Sequence, residues 1–166
     1  MLRLLSLLVL LALPVQGEEI VLGLSRDEVA ITANFDGSDV MIFGAVKREA
    51  PAPGGGPLEV IITLAGPSES VLVRRKERRL GIWVNTDSVE VDVAPSFYAV
   101  ATSAPFRDVL TEVEDLRYGV SIPRVIRSVG APADVANSET FTEALIRIRA
   151  ASGLYQILDS QVDIEE

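Results

Sequence analysis

Five cations within six residues, Arg74, Arg75, Lys76, Arg78 and Arg79 around Glu77, form the densest charged stretch of a chain whose net charge is −9. A basic run in an acidic chain is a local anion site, suited to lipid headgroups at a membrane surface or to an acidic protein. Four residues further on lies Trp83, the only tryptophan. Beside arginines it can anchor an interface. Arg74, Arg75, Lys76, Arg78, Arg79 and Trp83 are therefore the candidate partner- or anion-binding residues. The structural alternative is a solvated hairpin tip between residues 71–73 and 80–84, since charges at strand ends protect edges from stray pairing. Trp83 would then lie under a helix.

Other chemistries find less support. Asp36, Asp39 and the group Asp108, Glu112, Glu114 and Asp115 offer oxygen ligands for a hard cation, but at no EF-hand spacing. A turn accounts for Asp36 and a solvated helix face for the second group. Two carboxylates could serve glycoside hydrolysis, yet spacing singles out no pair. Gly54-Gly55-Gly56 lacks the Lys-Ser/Thr of a phosphate loop and is flanked by prolines, so it reads as a flexible loop. The chain has neither cysteine nor histidine. Disulfides, thiolate nucleophiles, imidazole metal sites and the Ser-His-Asp triad are thereby excluded. A net acidic surface also repels nucleic acid at long range. The residues point to no enzyme, no metal and no cofactor.

The elements that must position these groups begin after an export signal. A basic head at Arg3, an apolar run over residues 4–13 and small residues at Val15 and Gly17 read as a signal peptide over 1–17. The run is too short for a bilayer that needs about 20 residues. Residues 18–166 suffice for one domain, and a cysteine-free exported domain fits a bacterial periplasm.

Apolar residues then alternate with period two. Val29, Ile31, Ala33 and Phe35 share a face, Asp36-Gly37 predicts a hairpin, and residues 40–46 return as a strand. Residues 58–64, 71–73, 82–84, 89–93 and 97–102 continue the series between turn signals, the spacing of a sandwich. Pro95-Ser96-Phe97-Tyr98 occupies a place like that of the tyrosine corner of immunoglobulin-like domains. Beyond it the period becomes helical. Ser103 caps a helix carrying Phe106, Val109, Leu110 and Val113, which Gly119 stops. Thr140 and Glu143 form a capping box for a second helix with the stripe Phe141, Leu145, Ile148 and Ser152. Residues 155–164 read as a last strand without an obvious partner. The expected fold is mainly β, an immunoglobulin-like antiparallel β-sandwich with a two-helix insertion at about 105–153.

Residues 81–91, Pro95 to Ala101 and Phe141 to Arg147 together resemble an alphaproteobacterial family of transmembrane proteins. The likeness covers essentially all of residues 18–166, and residues 81–91 are its most specific part. It implies a signal peptide, a periplasmic β-rich domain and one C-terminal membrane helix. This sequence ends at Glu166, before that helix, so the likeness implies anchoring only in a longer relative and a domain lacking its final strands. Genes of such proteins lie near permeases of the sulfite-exporter type, which implies an envelope or inner-membrane partner, a permease among the candidates. The family carries over no catalytic or binding residue. Two further readings stand beside partner binding: a periplasmic accessory protein for a small molecule or anion, such as a sulfur oxyanion, and a hydrolase using carboxylates alone.

Overall fold

The computed structural model describes residues 19–25, 41–47, 56–129, 135 and 137–165. The chain is mainly β and divides into two units, Met1–Pro57 and Leu58–Glu166. The expected signal peptide, the strand at 29–35 and the turn at Asp36-Gly37 lie outside the described residues. In the first unit, β1 (Glu19–Leu24) pairs antiparallel with β2 (Ile42–Lys47). The partner of β2 is thus a segment that alternation had not singled out.

The second unit is organised by one long antiparallel ladder. β3 (Ile61–Ala65) pairs with β6 (Tyr98–Thr102), and β4 (Ser68–Arg79) pairs with β5 (Ile82–Pro95). The two pairings stay in step across a corner, because Ala65 faces Tyr98 and Ser68 faces Pro95. At the corner Gly66 N–H donates to Phe97 O (2.8 Å) and Ser96 N–H to Pro67 O (2.8 Å). Pro67 has no N–H to give the ladder, so it sits where regular pairing is already interrupted. Residues 82–84 and 89–93, expected as separate strands, are one strand of 14 residues. Asn85 to Ser88 join the two halves without a turn, Thr86 and Asp87 being half-buried where one extra residue shifts the alternation.

Four short helices, α1 (Phe106–Val109), α2 (Glu112–Tyr118), α3 (Ile122–Val125) and α4 (Glu139–Ala151), follow among the described residues instead of two. The single helix expected between Ser103 and Gly119 breaks at Leu110, where the backbone is extended. Thr111 then caps α2, its hydroxyl accepting from Glu114 N–H while the Glu114 carboxylate accepts from Thr111 N–H. That capping box outcompetes helix continuation. Ser103 caps nothing; its hydroxyl accepts from Val60 N–H (2.9 Å) and prolongs the β3–β6 ladder. Asp159 accepts from Phe106 N–H instead (2.9 Å). The expected box at Thr140 is also absent, since α4 starts earlier and the Thr140 hydroxyl donates back to Asn137 O.

The last strand has a partner after all. β7 (Tyr155–Leu158) lies parallel to β6, Tyr155 facing Tyr98, and completes the sheet β3-β6-β7. Parallel strands need a long crossover, which the helical segment supplies. Asp159 and Ser160 form a turn that ends the strand, and the N–H groups of Gln161 and Val162 then donate to Thr102 O at the end of β6. β6 is the middle strand, and Tyr98, Ala99, Val100 and Thr102 are all buried. The core joins Val91 and Ala94 of β5 with Tyr98, Val100, Ile122, Ile126, Leu145 and Tyr155.

Tyr98 does not make the tyrosine corner. Its hydroxyl donates forward to Val120 O (2.8 Å), 22 residues downstream. Burial, and then the charge of Asp115, raises its pKa. Asp115 holds the same segment from the other side, accepting from Val120 N–H (3.0 Å) and Ser121 N–H (2.7 Å) after Gly119 ends α2 in the left-handed region. Burial disfavours its charge, but the bonds from Ser121 and Val120 and nearby Arg124 outweigh that and hold its pKa low. The native state therefore holds this proton less tightly than the unfolded chain does. The resulting stability is present above the ordinary aspartate value of about 4 and is lost as pH falls through the lower native value. Asp115→Asn is expected to flatten the acid limb of a stability–pH curve measured by urea unfolding between pH 7 and pH 3. An acid limb identical to that of the parent chain contradicts this assignment.

Candidate functional site

Register decides what the basic run can do. Val71 faces Val91, Val73 faces Val89 and Arg75 faces Asp87, so these pairs share the inner side of hairpin β4–β5. Leu72, Arg74, Lys76 and Arg78 point the other way, opposite Glu90, Ser88, Asn85 and Trp83. β5 carries one extra residue at Thr86, where the pairing shifts between Arg75 and Lys76. This bulge keeps the alternation of β4 intact while re-aiming β5. The run is therefore split between two faces.

Arg75 belongs to the inner face. Its guanidinium lies 4.7 Å from the centroid of the Phe141 ring, donates to Thr140 Oγ1 (3.1 Å) and stands 3.5 Å from Asp87 Oδ2. Arg79 shares the side of β4 that Arg75 occupies but lies beyond the core, exposed and 3.4 Å from Glu77 on the same strand. Neither belongs to the outer row. Arg74, Lys76 and Arg78 do, at a spacing of about 6.7 Å along the strand. Trp83 stands directly across from Arg78 and is 68% exposed, so no helix among the described residues covers it.

The tip adds residues that charge patterning missed. Leu80 and Gly81 connect the strands, with φ of 49° and 85°. Positive φ at both centres is the geometry of a type I′ turn, which favours Asn-Gly because Cβ crowds the backbone there and only asparagine's local hydrogen bonds or the lack of Cβ in glycine offset it. Here the first position is leucine, 105% exposed, and Ile82 beside it is 65% exposed. From Lys76 to Trp83 every residue is exposed, whereas Val89 and Val91 at the root are fully buried. The distal hairpin thus reaches roughly 15 Å past Arg75. Its signal in the sequence was the unusual Leu80-Gly81 pair between two strand halves.

A groove of about 520 Å³ runs between β4 and α4. Val73, Phe141, Ala144 and Ile148 make its apolar lining, with Arg74, Arg75, Arg147 and Glu143 as its charged groups. Here the run, through Arg75, meets α4. The acidic group offers no cation cage: Glu114 is engaged with Thr111, Asp115 with Val120 and Ser121. Among the described residues no three potential ligands converge. The buried polar side chains among them are Thr102 and Arg149, so no two buried acids face each other.

The fold and this surface define a mainly β domain whose exposed chemistry is a basic and apolar hairpin. No described helix is long and apolar enough to cross a membrane. Residues 19–166 match the family model described as "Putative transmembrane protein (Alph_Pro_TM)", and the chain belongs to that family. No curated protein and no solved structure matches it.

Proposed function

We propose that this chain is a non-enzymatic, exported domain of a membrane protein that recognises an envelope protein in the periplasm. An inner-membrane permease is the partner of choice. The observation that carries the reading is the exposed row Arg74, Lys76 and Arg78 with Trp83 opposite Arg78, in a chain of net charge −9. Such a row attracts an acidic partner over a Debye length, and the aromatic supplies contact area once it is reached. The family description supports a membrane setting. The sandwich enters the proposal in two-layer form, supported by the way Val71 and Val91 of the hairpin share one core with Tyr98 and Val100.

Replacing Arg74, Lys76 and Arg78 together by serine is expected to leave the melting temperature nearly unchanged, since all three are exposed. Recovery of the partner after mild in-cell crosslinking should fall at least tenfold. Undiminished recovery removes this face from the proposal.

A second reading, an anion-binding accessory protein, draws on the groove, whose lining includes Arg75 and Arg147 beside an apolar wall. Guanidinium groups suit an oxyanion such as sulfite or phosphate. A thermal-shift titration with sulfite, sulfate, phosphate and small sulfonates tests it. A saturable rise in melting temperature supports the reading; a flat response at millimolar anion ends it.

A further inference from the structure

We infer that the tip of hairpin β4–β5 is a membrane-surface anchor: Leu80, Ile82 and Trp83 enter the interfacial layer of a bilayer, and the basic residues behind them bind anionic headgroups. The inference stands on the tip, separately from the protein partner proposed above, and it commits to lipid for three reasons.

First, the exposed apolar residues are contiguous and lie at the extreme end of a protruding element. Leu80, Ile82 and Trp83 are 105%, 65% and 68% exposed. A convex apolar end enters a fluid apolar layer without needing a matching pocket.

Second, the charges form a collar behind that end. Arg78 and Arg79 directly follow the apolar residues on β4, and Lys76 and Arg74 stand further back on the outer face. Long basic side chains extend along a surface and place their charge at headgroup level. Glu77 is the one acid in residues 74–79. Tryptophan suits the same boundary, its ring apolar and its indole N–H able to meet water or an ester carbonyl.

Third, leucine is a poor choice for folding at this position. A left-handed φ of 49° strains a leucine, and full exposure gives its side chain nothing to pack against. Asparagine would relieve the strain and glycine would remove it. A residue that breaks a local rule without a folding gain marks a functional site. Insertion of the side chain into lipid supplies the missing gain.

Trp83 makes the test local. It is the only tryptophan, so its emission reports on the tip whatever other part of the chain touches lipid. The full chain is titrated with vesicles of phosphatidylglycerol and phosphatidylethanolamine, and separately with phosphatidylcholine alone. The expected result is a blue shift with the anionic vesicles, quenching by brominated acyl chains, and loss of the shift as salt rises. Leu80→Asn should melt at or above the temperature of the parent chain while its partition falls on the order of tenfold. Serine at Arg74, Lys76 and Arg78 together should weaken partition on the order of a hundredfold, about fivefold for each cation.

No shift with anionic vesicles overturns the inference. So does an equal shift with phosphatidylcholine, or a shift that Leu80→Asn leaves untouched. A shift seen only when a detergent-solubilised partner protein is added assigns the tip to protein instead. Because the vesicles contain no protein, failure of the lipid arm is distinguishable from failure of the protein reading, which partner recovery in cells tests.

Discussion

Arg149→Ala is expected to lower the free energy of unfolding by about 3 kcal/mol, the cost of removing a buried, hydrogen-bonded charge. Arg149 sits on α4 and is only 9% exposed. Its guanidinium donates to Pro95 O at the end of β5 and to the Tyr155 hydroxyl at the start of β7 (2.8 Å). Tyr155 in turn donates to Pro95 O (2.8 Å). One side chain thereby ties the helix to strands from both sheets. Glu69 stands 3.7 Å away, but its side chain is largely exposed and the ion pair contributes little. Urea unfolding separates these contributions. Glu69→Ala should cost no more than about 0.5 kcal/mol. Arg149→Met, which keeps the aliphatic stem, should fall between the two. An alanine variant within about 1 kcal/mol of the parent would show that the network is not a staple.

Phe141→Ala should cost about 3–4 kcal/mol, because a ring that is 3% exposed leaves a cavity that neighbours fill only in part. The ring is buried and carries the Arg75 guanidinium 4.7 Å from its centroid. A double-mutant cycle with Arg75→Ala should give a coupling of about 0.5–1 kcal/mol. The alanine at Arg75 by itself should cost about 1 kcal/mol, from lost contact with Phe141, Thr140 and Asp87. A coupling of zero would detach Arg75 from the ring. This result bears on function directly. Arg75 is part of the fold, so a variant meant to probe binding must spare it, or lost binding will report lost packing.

The basic run shows how far a sequence carries such a reading. Its position in a hairpin between two apolar strand halves was legible, as was its departure from the chain's acidic balance. Which cations face outward was not. That depends on the pairing register and on the bulge at Thr86, and both are set by which valines reach the core. Arg149 was nearly legible. Phe141, Leu145 and Arg149 recur at intervals of four on α4, and all three are buried. The apolar stripe through Ile148 looked more natural, yet Ile148 is 60% exposed. A cation extending an apolar row was the available signal.

Some properties needed nothing beyond the order of residues. The absence of cysteine and histidine limits the chemistry because those groups cannot be supplied by folding. Period-two alternation over 58–102 dictates strands, since only an extended chain puts every second side chain on one face. Gly119 and Gly153 end helices because both adopt a left-handed conformation that costs other residues more. Other properties waited for tertiary structure. The pairing of β7 with β6 joins residues far apart in sequence, and no local pattern encodes a parallel partner. The burial of Arg149, the inward turn of Arg75 and the bare tip at Leu80 likewise follow from what packs against what. Local sequence determined the elements through short-range sterics. Packing across long sequence separations decided which of their side chains remain free to act.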